Sequence, residues 1–184
     1  MDERGTNMNT IVVNLFGEPG AGKSTAAMDI TAKLKRAGIN AEYVSEYAKD
    51  KVYEEDAEVF KHQEYLFGKQ SFKIGRVCGR VQVIVTDSPL VLSIIYNQNT
   101  YLGKPFECVV MDTFNAYRNK NYLLLRKHKY EDAGRFQNET QAADVREKLI
   151  AKLKALDIKY ECTTSSDADC KAIVESIIKE IANE

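Results

Sequence analysis

The sequence predicts an α/β fold in which a parallel sheet of five strands is covered by helices on both faces. Two patterns predict it: short apolar runs alternate with longer segments of helical periodicity, and a glycine-rich turn joins the first run to the first such segment. No repeat, low-complexity tract or Pro/Gly/Ser-rich linker divides the chain. We therefore predict one domain over residues 1–184, with a polar leader at 1–9.

Five short apolar runs are predicted as strands, because each is bounded by turn or polar residues and is rich in β-branched or aromatic side chains. They cover residues 11–16, 41–45, 81–85, 122–125 and 160–163. The run at 81–85, Val-Gln-Val-Ile-Val, is the most strand-like of them. Because helical segments separate the runs, the strands are expected to be parallel.

The intervening segments are predicted as helices, because their apolar residues recur every three or four positions. They cover about 23–37, 55–77, 91–96, 106–118 and 138–156, and a last helix begins at Ser166. Gly38 should end the first helix, as a glycine beyond the last turn does. Asn138 and Ser166 are predicted N-caps. Gln141 can reach back to Asn138 as in a capping box, and Asp169 follows Ser166 at the same spacing.

The composition is that of an ordinary soluble protein, with 44% apolar residues, 29% charged residues and a net charge of −1. This balance creates no bulk positive field, so nucleic acid as a partner is left open but not favoured. The longest apolar runs are far too short to span a bilayer, and a cytoplasmic location is expected. Four scattered cysteines without metal-binding spacing are predicted to be reduced, buried thiols.

Residues 17–24, Gly-Glu-Pro-Gly-Ala-Gly-Lys-Ser, match the phosphate-binding pattern GxxxxGK[ST] at every fixed position. In such a loop (P-loop), glycines let backbone N–H groups point at phosphates, and the following helix adds its positive dipole end. We expect ATP as the ligand, with Lys23 at its β- and γ-phosphates and Ser24 on Mg²⁺. The predicted nucleotide-binding residues are Gly17, Gly20, Ala21, Gly22, Lys23, Ser24 and Thr25.

Two carboxylates are predicted at the same edge of the sheet as the P-loop. Glu46 follows the strand 41–45, and Asp87 follows the strand 81–85, so both should open into one crevice. Asp87 is predicted to hold Mg²⁺, directly or through water, and Glu46 to accept the proton of an acceptor hydroxyl or to orient it. The structural alternatives are a helix cap for Asp87 and a solvated side chain for Glu46.

Two amides, Gln63 and Gln70, interrupt the apolar stripe of the long helix predicted at 55–77. A buried amide must be hydrogen-bonded. Gln63 is predicted to read the polar edge of the acceptor in a pocket walled by Phe60 and Phe67. The alternative for each amide is a hydrogen bond to the protein's own backbone.

Basic residues form two further candidate sites. Arg76 and Arg80, at the end of the long helix, are candidates for an acceptor phosphate, although cations are common at a helix C-terminus. Residues 126–138 are polar, charged and aperiodic, which predicts a small lid. Its Arg126 and Arg135 are predicted to neutralise charge that develops during phosphoryl transfer.

The chain resembles the nicotinamide-riboside-kinase-like branch of small P-loop kinases, which includes many nucleotide-kinase-like proteins of bacteriophages. The resemblance covers most of residues 10–156. It rests on Gly-Glu-Pro-Gly-Ala-Gly-Lys-Ser-Thr, Ser-Glu-Tyr-Ala at 45–48, the helix with Gln63, Val-Thr-Asp-Ser-Pro at 85–89 and Gly-Arg-Phe-Gln at 134–137. It implies a three-layer α/β/α sandwich, ATP with Mg²⁺, and an acceptor near Glu46 and Gln63.

The predicted function is transfer of the γ-phosphoryl of ATP to a nucleoside, a nucleotide or a similar small acceptor. A hydroxyl or modified base of DNA or RNA is one alternative, and a partner-driven P-loop ATPase is another. A GTPase is disfavoured, because Asn-Lys-Asn-Tyr at 119–122 has a tyrosine where the guanine-reading motif requires an aspartate. The sequence does not determine which acceptor is phosphorylated or the oligomeric state of the protein.

Overall fold

The computed structural model of the chain describes residues 10–53, 57–97, 101–126 and 139–183. Within these ranges, five parallel strands form one sheet in the order β2-β3-β1-β4-β5. The strands are β1 (Ile11–Phe16), β2 (Ala41–Val44), β3 (Val83–Thr86), β4 (Arg118–Leu124) and β5 (Glu161–Thr163). The predicted five-stranded parallel sheet is confirmed.

Helices connect successive strands. They are α1 (Lys23–Arg36), α2 (Tyr47–Tyr53), α3 (Gln63–Gly75), α4 (Leu92–Ile95), α5 (Gly103–Asn115), α6 (Glu139–Ala155) and α7 (Asp167–Ala182). Ser166 caps α7 as predicted, because its hydroxyl accepts a hydrogen bond from Asp169 N. In the described part of the chain, none of these helices has the length and apolarity needed to cross a membrane. The leader at 1–9, the lid segment after Arg126 and the Asn138 cap lie outside the described residues.

The alternating side chains of β1 divide the core into two halves. Ile11, Val13 and Leu15 pack with residues of α1 and α7 on one face of the sheet. Val12 and Phe16 pack on the other face with residues of α3, α5 and α6. Every residue of β1 is buried, as expected for a central parallel strand covered on both sides. The sheet therefore lies between two helical layers.

The prediction of one long helix over 55–77 is wrong. The structure has a 3₁₀ turn at Ala57–Lys61, a break at His62 with φ −109° and ψ 72°, and only then α3. Helical periodicity over five residues does not distinguish a 3₁₀ turn from an α-helix, and tertiary packing decides between them. As a consequence Phe60 and Gln63 do not share one helix face.

The predicted start of β4 at residue 122 is also wrong, because the strand begins at Arg118 and α5 ends at Asn115. The added residues are polar, and tertiary partners accommodate them. Asn14 Nδ2 on β1 donates to the side-chain oxygens of Asn119 (2.8 Å) and Asn121 (3.0 Å). Lys120 and Arg118 pair with a single carboxylate of α7, that of Glu180.

The cysteines are only partly as predicted. None of the four forms a disulfide, but only Cys170 is buried. Cys108 and Cys162 are exposed and Cys78 is half-buried, so the prediction of buried thiols holds for a single residue.

Candidate active site

The P-loop joins the end of the central strand β1 to the first turn of α1. Gly22 has φ +84°, a left-handed conformation that favours glycine, and a Cβ added there would lie 2.5 Å from Ser165 Oγ. Gly17 is similarly confined, since a Cβ would lie 3.0 Å from the carbonyl oxygen of Leu124. The loop therefore packs closely against the ends of β4 and β5. Gly17 and Gly22 are required because a side chain would not fit there, and also because of their backbone conformation.

Lys23 extends over the P-loop. Its Nζ donates to the carbonyl oxygens of Gly17 (2.9 Å) and Glu18 (3.0 Å). The ammonium is thus held at the mouth of the loop, where it can exchange these carbonyls for the oxygens of a bound phosphate. Among the other predicted nucleotide-binding residues, Ala21 is buried and Thr25 lies exposed in the first turn of α1.

Asp87, which is 1% exposed, connects three elements at the carboxyl edge of the sheet. Its Oδ2 accepts hydrogen bonds from Ser24 Oγ (2.6 Å) and Tyr43 Oη (2.8 Å). Its Oδ1 accepts one from the backbone N–H of Glu46 (3.0 Å). The carboxylate therefore joins α1, the end of β2 and the segment after β2. It does not cap the segment that follows it in any hydrogen bond that the described residues show.

Glu46 is held at this edge through its backbone. Besides the Glu46 N–H on Asp87, the next amide, Tyr47 N–H, donates to Gln70 Oε1 (3.0 Å). Gln70 is buried, and its Nε2 donates to Thr86 Oγ1 (3.3 Å) at the end of β3. Gln70 thus takes the structural alternative for a buried amide and fixes the position of Glu46 against β3.

Two tyrosine hydroxyls near Glu46 are held neutral by their surroundings. Burial, together with the charge of Asp87 and the hydrogen bond to it, raises the pKa of Tyr43 above its ordinary value. Burial and the charge of Glu46 raise the pKa of Tyr96 in the same direction. Tyr43 consequently remains a hydrogen-bond donor to Asp87 across the physiological pH range.

The predicted acceptor-reading residues are buried rather than open. Gln63 is 6% exposed, and its Nε2 donates to the carbonyl oxygen of Phe60 (3.0 Å). Phe67 belongs to the core on the α3 side of the sheet and meets Phe106 edge to face, with ring centroids 5.8 Å apart. The role of both residues towards an acceptor stays a prediction.

The structure does not bring Arg76 and Arg80 to the P-loop edge. Arg76 follows the last residue of α3, and three residues further on the Gly79 N–H donates to Thr10 Oγ1, just before the amino end of β1 (2.9 Å). Arg80 precedes β3, and its carbonyl accepts a hydrogen bond from Asn40, which precedes β2 (3.1 Å). Arg76 lines a cavity of about 350 Å³ along β2, together with Glu42 and Lys73.

Arg126 is placed at the P-loop edge by β4. Its Nε lies 3.4 Å from Oε1 of Glu18, the second residue of the P-loop motif. Both side chains are well buried, with exposed fractions of 17% for Arg126 and 4% for Glu18. Arg135 lies outside the described residues.

Hard oxygen donors beside the P-loop suit a magnesium ion. Mg²⁺ prefers oxygen ligands, keeps several waters and is usually held by one or two protein groups plus the phosphates of its nucleotide. The Ser24 hydroxyl and the Asp87 carboxylate, 2.6 Å apart at the start of α1, provide this donor set. These two residues fit the ion, and they are the ones predicted for it.

Three contributors to the site were not predicted as such: Tyr43, Gln70 as a positioning residue, and Glu18. The signals in the sequence are weak. Tyr43 is a single hydroxyl in a short strand, and Glu18 occupies a position that the P-loop pattern leaves variable. The one usable signal is the charge of Glu18, because a carboxylate inside a phosphate-binding motif has the same sign as the expected ligand.

A P-loop after a central parallel strand, with a serine and an aspartate bonded across it, defines a nucleotide-binding protein of the P-loop class. The family model described as AAA domain matches residues 12–169, and the chain belongs to this family. No curated protein matches the sequence.

Solved structures share this fold over nearly the whole chain. The deoxyadenosine kinase from M. mycoides with bound dATP is similar with a TM-score of 0.57 and 17% identity, covering 93% of this chain and 99% of that chain. The NadR protein in complex with NR is similar with a TM-score of 0.69 and 19% identity, covering 92% of this chain. The matched part is 52% of NadR, so the chain spans about half the length of that protein. At these identities the likeness is one of fold, and the fold is that of small P-loop kinases.

Proposed function

We propose that this protein is an ATP-dependent kinase that transfers the γ-phosphoryl group to a hydroxyl of a nucleoside, a nucleotide or a similar small acceptor. The observation that carries the proposal is the direct linkage of P-loop and candidate base. Ser24 Oγ and the backbone N–H of Glu46 both donate to Asp87, over 2.6 Å and 3.0 Å. A phosphate on the loop and an acceptor beside Glu46 would therefore share one crevice.

The proposed reaction uses these residues in distinct roles. The acceptor oxygen forms a bond to the γ-phosphorus while the bond from that phosphorus to the β–γ bridging oxygen breaks, and its electrons leave with ADP. Glu46 accepts the proton of the acceptor hydroxyl, and Lys23 neutralises charge on the β- and γ-phosphates. Ser24 and Asp87 would hold Mg²⁺, which neutralises phosphate charge when bound.

The family description and the fold neighbours support different parts of this proposal. The similarity to the deoxyadenosine kinase supports transfer to a nucleoside-sized acceptor. The AAA-domain description supports the alternative, a P-loop ATPase driven by a partner. Arg126, which lies in the same chain as the P-loop at 3.4 Å from Glu18, favours a self-contained kinase, because no arginine from a second subunit is needed. We place the reaction in the cytoplasm of a bacterial or phage-infected cell.

The test is ADP release from ATP and Mg²⁺ in the presence of nucleosides, nucleoside monophosphates, nicotinamide riboside or short oligonucleotides. The Lys23→Ala variant serves as the blank. Stimulation by one acceptor class, with a phosphorylated product of the expected mass, would establish the kinase and its substrate. Hydrolysis that no acceptor stimulates would overturn the kinase proposal in favour of the ATPase.

A further inference from the structure

Glu18 is a buried carboxylate that the proposed reaction does not use. It is buried and lies within the P-loop, between Gly17 and Pro19. Its backbone carbonyl already accepts hydrogen bonds from Lys23 Nζ (3.0 Å) and Ala21 N (3.1 Å). These bonds belong to the main chain, so the shape of the loop does not require a carboxylate at this position.

A negative charge in this place opposes the binding of a polyphosphate. Charges interact strongly where water is excluded, and a carboxylate in a phosphate-binding loop repels the ligand of that loop. Burial of a charge is also unfavourable unless a partner compensates it. The geometry supplies such a partner, because Glu18 Oε1 lies 3.4 Å from Arg126 Nε.

We propose that Glu18 is a positioning residue, which holds the guanidinium of Arg126 beside the P-loop for phosphoryl transfer. The inference rests on the proposed function. The ion pair engages the Nε side of the guanidinium, and the remaining donors lie on the two Nη atoms. An arginine at the end of a strand has several rotatable bonds, and restricting them before the reaction removes an entropic cost from the transition state.

Substitutions in the Glu18–Arg126 ion pair should shift ATP binding in opposite directions, but both should slow turnover. Glu18→Gln removes the repulsive charge and leaves the arginine cation, so ATP should bind more tightly, while transfer slows because Arg126 is no longer held. Arg126→Gln leaves the carboxylate, so ATP should bind more weakly and transfer should slow. In the double variant the two charge effects cancel in binding, whereas turnover stays at the level of Arg126→Gln.

The experiment measures the Kd of a non-hydrolysable ATP analogue with Mg²⁺ by calorimetry, and kcat with the acceptor from the panel above. We expect Glu18→Gln to lower the Kd about 3–10-fold and to lower kcat about 10-fold or more. The double variant should have a Kd within about 3-fold of the wild type and the kcat of Arg126→Gln. Glu161→Gln and Arg36→Gln, each on an exposed side chain and the latter at the C-terminal end of α1, are the matched controls.

Three outcomes would overturn the inference. These are weaker nucleotide binding by Glu18→Gln together with a lower Tm, unchanged kcat in that variant, or a double variant whose kcat losses add. The first would mean that the carboxylate only maintains the loop. If no acceptor is found, the proposed function fails separately, and the binding measurements still decide the pair. The inference is supported if the Kd shifts of the two single variants are opposite and cancel in the double variant. It is overturned if both single variants shift the Kd in the same direction.

Discussion

Tyr43 Oη and Ser24 Oγ donate to the same oxygen of Asp87, over 2.8 Å and 2.6 Å. A residue of β2 thereby fixes the carboxylate that faces the P-loop from β3. In the proposed role, Ser24 would bind Mg²⁺ through a lone pair of its hydroxyl oxygen, and its O–H could still donate to Asp87. The Tyr43 hydroxyl can remain in place, so it keeps the carboxylate oriented throughout.

The first prediction concerns this hydroxyl. Tyr43→Phe keeps the ring but removes the donor, so Mg²⁺ should be bound less well. We expect the Mg²⁺ concentration for half-maximal nucleotide binding to rise about 10-fold, within the range found when an outer-shell partner is removed. Binding of the nucleotide in EDTA should be unchanged. Tyr117→Phe, on another half-buried ring, is the control. An unaltered Mg²⁺ requirement in Tyr43→Phe would contradict the role.

Lys23→Ala should abolish phosphoryl transfer, with kcat reduced by more than about 100-fold, because the cation on the β- and γ-phosphates is lost. The fold should persist, because the hydrogen bonds from Lys23 Nζ to the carbonyls of Gly17 and Glu18 lie within the P-loop. Circular dichroism and a thermal melt check the fold beside the kinetic assay. Lys35→Ala, on the exposed end of α1, should behave as the wild type. Wild-type turnover by Lys23→Ala would contradict the proposed P-loop mechanism.

Glu46→Gln tests the proposed general base and keeps the backbone hydrogen bond that positions it. The hydrogen bond to Asp87 comes from the backbone N–H of Glu46, so the substitution leaves it intact. We expect kcat to fall by roughly 10²–10⁴-fold with the KM for ATP little changed. A KM effect alone would assign Glu46 to binding and not to proton transfer.

Gly22 and Gly38 allow conformational strain and steric exclusion to be separated. Both have φ above +80°, but a Cβ at Gly22 would lie 2.5 Å from Ser165 Oγ, whereas one at Gly38 meets nothing within 4 Å. Gly38→Ala should cost about 1–2 kcal/mol of unfolding free energy and leave nucleotide binding intact. Gly22→Ala should show the same strain and, in addition, lose nucleotide binding, as measured by calorimetry. Equal binding by the two variants would argue against a P-loop wedged against the end of β5.

The thiols should divide by accessibility and by pKa. Burial, with a smaller contribution from the charge of Asp29, raises the pKa of Cys170 to about 11, so this group stays protonated at pH 8. We expect a thiol reagent at pH 8 to modify the exposed Cys108 and Cys162 quickly and Cys170 only after unfolding. Peptide mass spectrometry with and without denaturant gives the order. Rapid labelling of Cys170 in the native protein would contradict the packing of α1 against α7.

Much of this protein is determined by local sequence. The P-loop motif, the apolar strands β1 and β3, and the placement of Glu46 and Asp87 directly after strands were all predictable. They depend on hydrophobic periodicity and on the rule that parallel strands end at one edge. The same rule places Arg80, which directly precedes β3, at the amino edge of the sheet, away from the P-loop.

Tertiary structure decided the rest. Arg118 and Asn119 belong to β4 only because Glu180 and Asn14 provide partners from distant segments. The helix predicted over 55–77 is interrupted because packing, and not local propensity, sets the boundaries of short helices. Two contacts define the site. Tyr43 and Asp87 are 44 positions apart in the sequence. Glu18 and Arg126 follow two different strands, β1 and β4. Hydroxyls and charges of this kind carry no periodic signal, so only the folded chain reveals what they contact.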